Sequence, residues 1–112
     1  MLRQSQNAVV ARNETWSGEC ATEPHEVGWA AEAVIFVRAL AVEGDVGDAA
    51  FRVQLSPDGM RWVDEGTTIR VPARQDETGW ARVAHFGAWL RITAVLPPGV
   101  TLKPLVTFSL KA

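Results

Sequence analysis

The stretch from Phe51 to Gly66, FRVQLSPDGMRWVDEG, decides the fold. Its first half alternates apolar and polar side chains, which predicts a strand with one buried and one wet face, because strand side chains point alternately to opposite faces. The alternation breaks at Pro57-Asp58-Gly59 and resumes at Trp62. Proline presets a φ near about −65° and glycine tolerates positive φ, so Ser56–Gly59 predicts a type I hairpin turn with a glycine bulge.

This hairpin allows two interpretations. In the first, Pro57, Asp58 and Gly59 form a structural turn and Trp62 packs on the sheet. In the second, the turn and Trp62 together bind a ligand. We favour the structural hairpin and keep the ligand-binding turn as the alternative.

Turn-forming residues recur along the whole chain. Glycine and proline interrupt short segments rich in Val, Ile, Phe, Trp and Thr, which is typical of an all-β sandwich. We therefore predict one antiparallel β-sandwich domain of about eight strands over residues 15–112, with residues 1–14 as a candidate N-terminal arm. The expected strand segments are Ala8–Arg12, Thr15–Ala21, Glu32–Val42, Ala50–Ser56, Arg61–Asp64, Thr67–Val71, Trp80–His85, Ala88–Leu96 and Val100–Leu110.

The segment Glu32–Val42 is apolar on both faces if it is a strand. Ala, Leu, Glu and Arg would also suit a helix, but the β-branched run Val34–Val37 favours a strand. A strand of this kind is covered on both sides within the protein, or on one side by a second subunit. Pro104 interrupts the last expected strand and lacks an N–H donor, which predicts an edge strand or a bulge there.

Composition narrows the classes of function. The 112 residues carry 47% hydrophobic and 21% charged side chains and a net charge of −2, which indicates a globular domain and argues against nucleic-acid binding, since that needs a basic face. No apolar run approaches the roughly 20 residues of a membrane helix, and the N-terminus shows no signal-peptide pattern, so we expect no membrane partner. The single cysteine, Cys20, excludes an internal disulfide.

Catalytic and metal-binding patterns are weak. The two histidines, His25 and His85, have no nucleophile motif near them. A zinc site would have to use Cys20, Glu23, His25 and Glu26, which do not show the paired Cys and His spacing of such sites. Acidic side chains such as Asp45 and Asp48 are ordinary in β-turns. We expect a protein that is not an enzyme and holds no cofactor or metal.

Five tryptophans in a chain without tyrosine are the compositional oddity. They suit three roles: core anchors, a protein interface, or a platform for stacked sugars. By alternation three aromatic residues share a strand face with an arginine, and interfaces are enriched in Trp and Arg. The candidate interface residues are therefore Trp80 with Arg82, Trp89 with Arg91, and Phe36 with Arg38.

The order of four segments resembles small β-sandwich proteins of phage and prophage virions. These segments are EAVIFVRA (32–39), FRVQLSPDGMRWVD (51–64), WLRITA (89–94) and VTFSL (106–110). The similarity covers roughly residues 30–110 and rests on a Ser-x-Asp-Gly-x-x-Trp hairpin followed by a Leu-Arg-Ile strand. Discoidin-like carbohydrate-binding modules carry a similar hairpin, but they are usually longer than this chain and often secreted.

The resemblance implies a jelly-roll-like sandwich without catalysis that decorates or cements a larger assembly. We accordingly expect a homo-oligomer that docks on a larger protein shell or tail, placed in a virion or a cytoplasmic assembly. The alternative is a carbohydrate-binding module that uses exposed tryptophans.

Overall fold

The computed structural model describes residues 4–112, which form an all-β, antiparallel sandwich, as the sequence predicts. Helices are absent from this part of the chain, so it contains none that could span a membrane. The strands are β1 (Ser5–Ala11), β2 (Glu19–Ala21), β3 (His25–Glu26), β4 (Glu32–Glu43), β5 (Ala50–Ser56), β6 (Val63–Arg70), β7 (Thr78–Ala84), β8 (Trp89–Val95) and β9 (Thr101–Lys111).

The strands form two sheets with the winding of a jelly roll. The four-stranded sheet has the order β1-β9-β4-β7, and the second sheet has the order β2-β8-β5-β6 with β3 also paired to β8. The pairings are nested along the chain: β1 pairs with β9, β2 with β8, β4 with β7 and β5 with β6. This nested pairing distributes eight principal strands over two packed sheets, the jelly-roll arrangement. The ninth strand is the two-residue β3.

Two of the expected strand assignments are wrong in more than their end residues. Of the expected strand Thr15–Ala21 only Glu19–Ala21 pairs continuously, because Gly18 at φ +58° interrupts it, and Trp16 forms an isolated bridge to Leu102. The expected pair of short strands after the hairpin is one strand, β6, which continues through Gly66 at φ +111°.

The core lies between the inner faces of the two sheets. Its largest fully buried side chains include Phe51 and Phe108, and alternate residues of β4 from Ala33 to Ala39 face the same interior. Burying a side chain of this size stabilises the fold by about 1.5–3 kcal/mol. The opposite face of β4 is only partly covered, with Phe36 exposed.

Pro104 sits opposite a bulge, which confirms that part of the sequence prediction. The register of β4 against β9 shifts between Ala39 and Ala41, where β4 faces Pro104 and Lys103. On its other side β9 pairs with β1 only as far as Ala11 opposite Val106. The proline therefore occupies a central strand at a place where the ladder is already irregular.

The N-terminal segment contributes a strand to the sandwich. Of the range 1–14 that the sequence leaves as a candidate arm, Ser5–Ala11 is the edge strand β1, and the backbone N–H of Ala112 donates to the carbonyl of Gln4 at 2.9 Å. Residues 1–3 lie outside the described part of the chain.

Candidate interaction faces

The six candidate interface residues separate onto two opposite surfaces of the sandwich. Four of them lie on the outer face of the four-stranded sheet, and two lie on the outer face of the other sheet. Phe36, Arg38, Trp80 and Arg82 form the first group, and Trp89 and Arg91 form the second. The hairpin residues lie beside the second group.

An apolar row crosses the outer face of the four-stranded sheet. Val9, Phe36 and Trp80 are 51%, 37% and 54% exposed. Val9 is paired with Thr107, Thr107 with Phe36, and Phe36 with Trp80, so one line of side chains spans all four strands. We call Val9, Phe36 and Trp80 the apolar row. Sequence alternation places Phe36 and Trp80 outward, but their adjacency follows only from the register.

Arginines border the apolar row. The guanidinium carbon of Arg82 lies 5.3 Å from the centre of the Trp80 ring, within the range of a cation–π contact. Arg38 forms an ion pair with Asp76 at 2.8 Å, but both side chains are about half exposed or more, so the pair adds little stability. On the other flank the Ser109 hydroxyl donates to Asn7 Oδ1 at 2.7 Å. The face therefore combines an apolar centre with polar margins.

The hairpin is longer than the sequence predicts. Leu55 pairs with Val63 and β5 ends at Ser56, so residues 57–62 form a loop between β5 and β6, and the prediction of a tight type I turn with a glycine bulge is wrong in length. Gly59 does adopt the expected positive φ, +79°.

Side chains close this loop. The Ser56 hydroxyl oxygen accepts the N–H of Gly59 at 2.8 Å, and Asp58 Oδ1 accepts the N–H groups of Met60 and Arg61, each at 2.9 Å. The N–H of Arg61 is the strongest influence on Asp58, followed by that of Met60, and together they lower its carboxyl pKa to about 2. The loop is thus held by local polar contacts and is not a random connection.

The loop covers the second tryptophan–arginine pair. Gly59 lies against Trp89, since a Cβ added there would come within 3.3 Å of the ring. Trp62 lies over Arg91, with the guanidinium carbon 4.2 Å from the ring centre. Trp89 and Arg91 are consequently only partly exposed, and Trp62 packs on the sheet as the structural interpretation of the hairpin expects. Of the five tryptophans, Trp80 alone is exposed.

A polar network lies beside Arg91, under the loop, and the sequence does not predict it. Arg91 Nε donates to Gln54 Oε1 at 2.8 Å, and Gln54 Nε2 donates to Asp64 Oδ1 at 2.9 Å. Arg52 completes the line with an ion pair to Asp64 at 3.2 Å. Gln54 is buried although it lies on an outer face, and both its amide oxygen and its amide nitrogen are hydrogen-bonded to these partners. A glutamine between two apolar strand residues gives no signal of this role.

The cysteine and histidine candidates do not converge. Within residues 4–112 no group of three or more His, Cys, Asp or Glu side chains is placed to hold a metal ion. The Cys20 thiol donates to the Ala94 carbonyl at 3.6 Å, and burial raises its pKa to about 11. His25 packs edge-on against Phe108, with ring centres 6.0 Å apart. Asp45 Oδ1 accepts the Gly47 N–H, a turn contact.

The fold has a counterpart among solved structures. The crystal structure of the SPBc2 prophage-derived protein YomS matches this chain with a TM-score of 0.57 and 9% sequence identity, over 100% of this chain and 96% of that protein. No family model and no curated protein matches the sequence. At this identity the likeness shows a shared fold, and it confirms the expected similarity to prophage proteins at the level of the fold.

Proposed function

We propose that this protein is a non-enzymatic structural subunit that associates with copies of itself and docks, as a decoration or cement subunit, on a larger protein shell or tail such as a phage-like capsid. The apolar row on the outer face of the four-stranded sheet carries this proposal. The fold shared with a prophage-derived protein supports it.

In plan, the outer face of the four-stranded sheet supplies about half of the area that a standard interface buries per partner. Four strands about 4.8 Å apart and roughly 23 Å long give a face of about 400 Å² in plan, before the relief of the side chains is added. A standard protein interface buries about 800 Å² per partner, with an apolar centre and a polar rim. The apolar row would supply the centre, and Arg38 and Arg82 would supply part of the rim.

The polar groups on this face suit a protein partner better than a sugar. A sugar platform needs carboxylate or amide groups beside the exposed ring to bind the hydroxyls. The Trp80 ring is in cation–π contact with the Arg82 guanidinium, and the amide oxygen of Asn7 accepts the Ser109 hydroxyl. The carbohydrate-binding alternative therefore has less support.

Light scattering over a range of concentrations tests self-association. Wild-type protein is expected to form a closed oligomer, and Trp80→Glu is expected to be monomeric because it places a charge at the centre of the interface. Met60→Glu is the matched control, since Met60 is also exposed but lies in the loop 57–62. A wild-type monomer at high concentration would overturn self-association, and binding on a glycan array would then favour the carbohydrate alternative.

Docking needs a separate measurement. Cosedimentation with purified empty capsids and with purified tails should show saturable binding of the wild-type protein. Binding to neither, by a protein shown to be folded, would contradict the docking part of the proposal.

A further inference from the structure

The guanidinium of Arg91 is held in a fixed position on the outer face of the second sheet. Its Nε–H is bound to Gln54, and the ring of Trp62 lies 4.2 Å from its central carbon. Gln54 is held in turn by Asp64. A guanidinium fixed in this way loses little conformational freedom when its terminal nitrogens bind a planar anion.

Arg91 has no counter-ion within the described part of the chain. No carboxylate of residues 4–112 lies within 4.0 Å of its guanidinium, which is also true of Arg12, Arg70, Arg74 and Arg82. The same side chain is partly buried by the loop, and this burial lowers its pKa. A partly desolvated cation with free N–H donors favours an anionic partner.

A polar depression opens beside this side chain. It has a volume of about 320 Å³ and lies between β2, β8 and β5, where Glu19, Arg52, Arg91 and Thr93 contribute to its lining. Arg52 is already paired with Asp64, and Glu19 adds a negative charge. With Arg91 counted, these four charges sum to zero, so a ligand with one negative charge is disfavoured less than a dianion.

We propose that this depression binds the carboxylate of an acidic side chain on a partner protein, with the terminal nitrogens of Arg91 as the donors. The depression lies on the sheet opposite the apolar row, so this interaction does not depend on self-association. The two outer faces of the sandwich would then make contacts of different chemistry, one apolar and one ionic.

An NMR titration with N-acetyl-glutamate N-methylamide tests the site. The Nε–H signal of Arg91 and the indole N–H signal of Trp62 are expected to shift saturably. The uncharged glutamine analogue should leave them unchanged. Arg82 and Trp80, the exposed pair on the other sheet, serve as an internal control. Equal or linear shifts at both pairs would overturn the proposal.

Two variants separate recognition from folding. Arg91→Lys keeps the charge but loses the planar donor pair, and the affinity for the glutamate analogue should fall by at least about tenfold. Glu19→Gln changes an exposed residue and removes a repelling charge, so the same affinity should rise. An unchanged affinity in Glu19→Gln would contradict the site, as would tighter binding of inorganic phosphate than of the carboxylate at equal ionic strength.

Discussion

Trp80 and Trp89 have the same sequence signature and different surroundings. Each is followed two positions later by an arginine and lies on an outward strand face. Trp80 is exposed, whereas Trp89 lies under Gly59. What differs is the presence of the loop 57–62, which connects β5 and β6. Substitution at the two sites should therefore separate stability from association.

Trp89→Ala should destabilise the fold by about 2–3 kcal/mol, less than the roughly 3–5 kcal/mol for a fully buried tryptophan. Trp80→Ala should cost less than about 1 kcal/mol, because an exposed ring loses little packing. Urea unfolding of both variants measures the difference. An equal loss of stability in the two would contradict the burial described for Trp89.

Asp58 makes the loop sensitive to acid. Its pKa is lowered from 3.8 to about 2 by the N–H groups of Arg61 and Met60 and by its side-chain partners. A carboxyl whose folded pKa is lowered contributes stability that is complete above its unfolded pKa and is lost as pH falls through the folded one. The loop should therefore stay closed at neutral pH and loosen as pH falls from about 4 toward 2.

The test for Asp58 is an NMR titration of its carboxyl carbon, with Trp62 fluorescence as the readout of loop closure. Asp58→Asn should remove the fluorescence change in this pH range. A titration midpoint near the ordinary value of 3.8 would contradict the hydrogen bonding described here.

At the scale of the elements, two loops at the end of the sandwich meet through Gly44. This glycine follows β4 at φ +88°, and a Cβ there would lie 2.6 Å from the Gly99 carbonyl oxygen and 3.1 Å from Val100 Cα. Both neighbours are backbone atoms, so the contact could be relieved only by moving the turn between β8 and β9.

Gly44→Ala should therefore cost about 3 kcal/mol, of which roughly 1–2 kcal/mol is the left-handed conformation itself. Gly47→Ala is the matched control, because Gly47 has φ +57° and open space around its Cα. It should show only the conformational cost. Thermal unfolding of the two variants measures the difference, and equal melting temperatures would show that the close approach to Gly99 carries no cost.

The elements also show which features sequence patterns can predict. The observed ends of strand β5 are the predicted ones. A strand with one buried face must alternate apolar and polar residues, and that pattern is visible in the sequence. The loop after it has the predicted glycine conformation but not the predicted length. Trp62 in that loop packs on Arg91, and Arg91 binds Gln54, which lies 37 residues away. A local pattern carries no information on such a distant partner.

For the whole molecule, the sandwich is predictable from the sequence. Regularly spaced glycines and prolines separate apolar segments of strand length, and such segments have few other ways to bury a core. The sorting of the candidate interface residues is not predictable from the pattern. Alternation places Trp80 and Trp89 outward on their strands, but only the winding assigns β7 and β8 to different sheets. That assignment places Trp80 in the apolar row and Trp89 under the loop.

The pairing of β1 with β9 has a mechanical consequence. The two strands are antiparallel, and Gln4 and Ala112 meet at the same end of their ladder. A force applied at Gln4 and Ala112 would separate β1 from β9 by breaking one hydrogen bond at a time. A load carried through the broad faces would instead be shared by whole sheets. The sandwich should therefore yield readily when pulled through Gln4 and Ala112 and resist when loaded across its faces.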